Sequence, residues 1–232
     1  LVSDLASPTL PVRVTAANQL VTRVGKAAEP ALLAVLEGPN AGPDARSMAA
    51  WVLHRIGSLD DDRFQKVVAA TTDPTLLVHL MGIVREKEAL TPAIHAIAIA
   101  ATKDHSPLVQ RAAAEALGAH PNASNVRPLL TLRQAAPEED THLIHVVRIA
   151  LRDQLKPSEV WPTLEAADLT ERDRRGLADV APGVPTPEAA AFLLKHIKTI
   201  KEPDHLLTKY VHHIARYAEP GLLGELTGLI GA

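Results

Sequence analysis

Residues 104–136, DHSPLVQRAAAEALGAHPNASNVRPLLTLRQAA, spell out one helical hairpin. Ser106-Pro107 pairs an N-cap hydroxyl with a proline at the first helical position, where no N–H is needed. Val109, Ala112, Ala113, Ala116 and Leu117 then recur at helical spacing and form one apolar stripe. Gly118 is expected to close this helix. Arg127-Pro128 is expected to open a second one, carrying Leu129, Leu130 and Leu132. A single hairpin cannot bury its apolar faces alone. The stretch therefore predicts copies of itself on either side.

The copies are found by their punctuation. First helices start after Ser7-Pro8, Gly42-Pro43, Asp73-Pro74, Ser106-Pro107, Pro137, Thr170 and Pro203-Asp204, about 31–35 residues apart. Second helices are expected near Pro30, Asp62, Pro92, Pro128, Pro162, Pro187 and Pro220, in nearly the same rhythm. Cap-proline pairs and hydrophobic period agree on the phase. They predict an all-α fold, a right-handed α-solenoid (superhelix) of about seven helical hairpins, each touching its neighbours. Residues 1–155 read as regular repeats, and 156–232 as divergent repeats continuing the same solenoid. Within the latter, 170–187 is short and polar, with Asp173, Arg174 and Arg175. It reads equally as a degenerate, kinked repeat or as a plain irregular connection. Residues 221–232 form a last helix whose apolar face holds Leu222, Leu223, Leu226, Leu229 and Ile230.

Composition fits a helical stack. Of 232 residues, 47% are apolar and only 3% aromatic, and small alanines let helices approach closely. The net charge of -3 sets up no strong field for nucleic acid or an anionic membrane. With no cysteine, thiol catalysis, disulfides, zinc–thiolate sites and covalent haem attachment are excluded within these residues. The longest apolar run, 90–101, falls short of the roughly 20 residues of a membrane span. A start at Leu1 with no charged-then-apolar leader is what a mature form or an excised part of a longer protein would show.

These residues carry a resemblance. Pro11, Val12, Arg13, Ala16, Ala17 and Leu20 resemble the start of a HEAT repeat, and residues 104–118 resemble it more closely. The likeness covers 1–155 well and 156–232 loosely; the tetratricopeptide and ankyrin patterns do not occur. Residues 49–59, AAWVLHRIGSL, are similar to HEAT segments of large planctomycete and verrucomicrobial proteins. In those proteins a sugar-dehydrogenase-like β-propeller, a HEAT segment and a c-type cytochrome domain lie in one exported chain. The resemblance implies a spacer between propeller and cytochrome. It implies no cofactor in this segment, haem c elsewhere in the parent chain, and a periplasmic or exported setting, with cytoplasm as the alternative. No catalytic residue carries over.

Histidine is the one unusual reactive inventory, with eleven copies. His142 and His145 lie three apart on one helical face, near Asp140, and are the candidates for a metal. The adjacent His212 and His213 diverge by about 100° and cannot easily share one ligand. His54 is expected to bond a neighbouring loop. The acidic runs 60–62 and 138–140 are explained by helix starts, and Trp51 and Trp161 by packing. No phosphate loop or nucleophile elbow is present. The second helices would carry a mixed-charge surface with Glu29, Glu37, Lys66, His95, Arg127, Arg133, Glu159, Glu165, Lys195 and Lys198. Mixed signs suit a protein partner or an adjacent domain of the same chain better than a polyanion. That favours a non-catalytic scaffold over a nucleic-acid binder, which needs a basic, aromatic face, and over a pigment lyase, which needs a clustered site in a groove.

Overall fold

The computed structural model describes residues 1–230. The end of the segment 221–232 and the Ile230 side chain, expected on its apolar face, lie outside the described residues. Fourteen α-helices and no strand occur among those described. They are α1 (Leu10–Gln19), α2 (Glu29–Glu37), α3 (Pro43–Arg55), α4 (Asp61–Ala69), α5 (Pro74–Glu86), α6 (Pro92–Ala101) and α7 (Pro107–Ala119). The chain continues through α8 (Ala123–Ala135), α9 (Thr141–Gln154), α10 (Val160–Ala166), α11 (Glu171–Val180), α12 (Pro187–Thr199), α13 (Asp204–Tyr217) and α14 (Pro220–Ile230). Two compact units result, Leu1–Leu117 and Gly118–Ala232.

Local chemistry sets the starts. Proline occupies the first position of α3, α5, α6 and α12. The side chains of Asp60, Asp73, Thr91, Asn122, Asp140 and Thr186 each accept a bond from a backbone N–H in the first turn that follows. Gly25, at φ 59°, ends the helical run that α1 begins.

In the first unit, α3 packs against α1, α2 and α5, and α4 against α6. Ala49, Ala50, Leu53, Phe64, Leu76, Leu80 and Ile83 are fully buried. In the second unit, α9 packs on α8 and α11, and α12 on α11, α13 and α14. Leu129, Leu143, Val147, Leu177, Leu193 and Ile214 form its core.

Three sequence expectations need correction. α8 opens at Ala123, because the Asn122 carboxamide caps Ser124 N–H at 2.9 Å; Pro128 is interior and forgoes its bond to the Ser124 carbonyl. Gly118 does not end α7, which runs to Ala119, and it has no positive φ. Its role is closeness: a Cβ there would lie 3.2 Å from Ala150 Cα. Residues 170–187 are no irregular connection, since they hold the full helix α11. Thr170 and Asp173 form a reciprocal capping box at its start, and Leu177 and Ala178 are buried.

Polar ties join successive hairpins at a near-constant chain separation. Glu29 accepts from Ser58 (2.6 Å) and Arg63 (2.6 Å). One hairpin further on, Asp61 accepts from Lys87 (2.8 Å) and from Thr91 (2.6 Å), which caps α6. Arg55–Glu86, Arg85–Glu115, Arg148–Asp179 and the Asn125–Gln154 amide pair follow the same rule. Each tie spans 26 to 34 residues, about one hairpin. Asp173 departs from it, taking Arg127 and Gln134 from 46 and 39 residues upstream.

Candidate functional site

The most developed polar arrangement lies in the second unit, beside a recess between α10 and α12. The side chains of Glu202 and His196 are 2% and 1% exposed. Arg175 Nη1 meets Glu202 Oε2 at 2.5 Å, and His196 Nε2 meets Glu202 Oε1 at 2.7 Å. Arg175 also binds Glu171 Oε1 and the Lys201 carbonyl. Burial lowers the His196 pKa, the Glu202 carboxylate works against this, and Arg175 and Arg174 reinforce it. Tyr210 stands edge-on to His196 with ring centroids 5.7 Å apart. Burial, and then the Glu202 and Asp179 carboxylates, push its hydroxyl up to about 12. A buried carboxylate with a guanidinium and an imidazole on separate oxygens is a paired, structural charge.

The recess itself is walled by Trp161, Leu164, Leu169 and Phe192, with Arg174, Lys195, Glu165 and Thr199 around it. Trp161 donates Nε1–H to the Leu155 carbonyl at 3.1 Å, which fixes the indole, and its ring lies 5.6 Å from that of Phe192. Solvent can occupy about 70 Å³ there, far less than a cofactor site needs.

In the first unit Trp51 lies across Gly82, where a Cβ would come 3.1 Å from the indole. Its Nε1–H donates to His79 Nδ1 at 3.1 Å. Indole nitrogen only donates, so His79 carries its proton on Nε2. His54 is half-buried and meets the Trp51 ring edge-on at 6.1 Å. Burial lowers the pKa of both histidines.

The partner-surface candidates fall on second helices. Lys66 is on α4, His95 on α6, Arg127 and Arg133 on α8, and Lys195 and Lys198 on α12. Arg127 is drawn to Asp173 and the Asp168 carbonyl, and Lys198 to Glu225. Lys66 and Lys195 are exposed, with no ion pair to either among the described residues. His142 and His145 are both exposed on α9. No group of three or more metal-ligating side chains occurs among the described residues. No described helix is long and apolar enough to cross a membrane.

Sequence reasoning passed over Phe192, His196 and Glu202. His196 follows Phe192 by one helical turn, but Glu202 sits beyond the end of α12, and no spacing announces that their side chains meet. No protein-family model, curated protein or solved structure matches the chain.

Proposed function

We propose that this chain is a non-catalytic scaffold, a right-handed HEAT-like solenoid of seven hairpins that spaces or docks domains. The observation that carries the reading is the near-constant reach of its polar ties. In the regular part Glu29, Asp61, Arg55, Arg85 and Arg148 each reach a partner about one hairpin along the chain, while Arg127 and Gln134 reach further, to Asp173. A stack in which each repeat touches only its neighbours requires this reach, whereas a globular bundle brings distant segments together. The buried charge cluster at Glu202 fits the same role, because its carboxylate is taken up by Arg175 and His196 within the protein.

The parent we infer from the likeness of residues 49–59 is an exported oxidoreductase with a c-type cytochrome domain. In it this segment separates catalytic and electron-accepting parts and holds no haem itself. A visible spectrum of the full-length source protein, oxidised and then reduced with dithionite, tests that parent. Sharp haem bands on reduction are expected. A featureless spectrum would remove the cytochrome parent and leave a free-standing protein-interaction module.

A further inference from the structure

We propose that the recess between α10 and α12 receives a tyrosine side chain presented by an acidic segment of a partner protein. This rests on the scaffold reading and gives the partner a chemistry. Trp161, Leu164, Leu169 and Phe192 offer an apolar seat with two aromatic walls, and the Trp161–Leu155 hydrogen bond holds it preformed. The small free space suits one side chain and excludes a multi-ring cofactor.

The charges around the seat select the flanking residues. Lys198 and Arg175 are tied to Glu225 and Glu202 within the chain. Arg174 and Lys195, which border the recess, are exposed, and no ion pair to either is found among the described residues. Glu165 is the one carboxylate among the lining residues. Two available cations against one anion favour acidic residues on either side of the seated ring.

The buried imidazole selects tyrosine among the aromatics. Glu202 Oε2 takes the Arg175 guanidinium and Oε1 faces His196 Nε2; with Nε2–H donated to that oxygen, the neutral imidazole keeps a lone pair on Nδ1. That Nδ1 is buried and has no partner, although His196 borders the recess. A buried acceptor without a donor is costly. Tyrosine is the side chain that brings an apolar ring with an O–H at its far end.

The test is calorimetric titration of the whole chain with a five-residue peptide, tyrosine between two pairs of glutamates, capped at both ends. Saturable binding that weakens as salt rises is expected. Alanine in place of the tyrosine should lose about tenfold or more, and phenylalanine several-fold. Reversing the cations with Arg174→Glu and Lys195→Glu should lose about tenfold, while Lys66→Glu in the other unit changes nothing. Both reversals are at exposed positions, and an unchanged thermal melt shows that the variant folds. No binding, equal binding of the alanine or phenylalanine peptide, or no effect of charge reversal overturns the proposal. A failed peptide with an elongated chain in solution would remove this site and leave the scaffold. A bound peptide with a compact chain would do the reverse.

Discussion

At Gly118 a hydrogen atom in place of a methyl group decides how near two helices lie. A Cβ there would meet backbone, Ala150 Cα at 3.2 Å, so relief requires moving α9 rather than turning a side chain. Gly224, inside α14, has nothing within 4 Å of the same added atom. Gly118→Ala should therefore cost about 1–3 kcal/mol, while Gly224→Ala should gain about 0.5–1 kcal/mol from lower backbone entropy in the unfolded chain. Urea denaturation of the two variants checks the opposite signs. The sequence marks Gly118 as special, but reads it as a helix stop; its real constraint comes from Ala150, 32 residues away. The histidines make a second residue-scale prediction. Burial lowers the pKa of His54, His79, His196 and His213 in the folded state. The unfolded chain thus binds protons first, near its ordinary value of about 6.5. Stability is full above that value and declines as pH falls through it toward the folded values. Protonation of His79 at Nδ1 also breaks the Trp51 bond. Melting temperature should drop between pH 7.5 and 5.5, with a smaller drop in Trp51→Phe, where the indole donor no longer competes with the proton.

Among elements, the starts of α2 and α4 act as couplings. The Glu29 carboxyl is held below its usual range by the Ser58 hydroxyl, then by Arg63. Asp61 is held below its range by Lys87, then by Thr91. Depressed carboxylates stabilise the fold above their unfolded values of about 4.5 and 3.8 and lose that contribution as pH falls through the folded ones. Chemical denaturation followed from pH 5 to 3 should show a falling limb that Glu29→Gln with Asp61→Asn makes shallower. An unchanged limb in the double variant would deny that these ties couple hairpins. Leu130 tests the core of the second unit. It is 1% exposed on α8, and its Cδ2 would lie 2.8 Å from a Cβ at Gly176 on α11. Leu130→Asp buries a charge without a partner and should cost about 3–5 kcal/mol. Proteolysis should then cut α8, α9 and α11 together. Helix starts were legible where a cap and a proline coincide, as at Asp73-Pro74 and Thr91-Pro92. They were misplaced at α8, because Asn122 caps five residues ahead of Arg127-Pro128 and outweighs the proline. The capping box at Thr170 was equally present in the sequence, hidden among charges that resemble a loop.

At the scale of the chain, regular punctuation yields an all-helical fold. The recess at Trp161 was not legible, since its walls come from α10, α11 and α12 and meet only after those helices pack. The two tryptophans show the difference in scale. Trp51 packs against Gly82 and His79 and borders an open groove, while Trp161 borders the smaller recess. The proposed scaffold requires about seven hairpins stacked in one direction as a spacer. Small-angle X-ray scattering of the chain in dilute solution tests it most directly. A compact globule of this length has a radius of gyration of about 17 Å. Seven hairpins stacked about 10 Å apart give roughly 22 Å, with pair distances reaching beyond about 65 Å. The larger radius with a long-tailed distance distribution is expected. A radius near 17 Å with a symmetric distribution would contradict it.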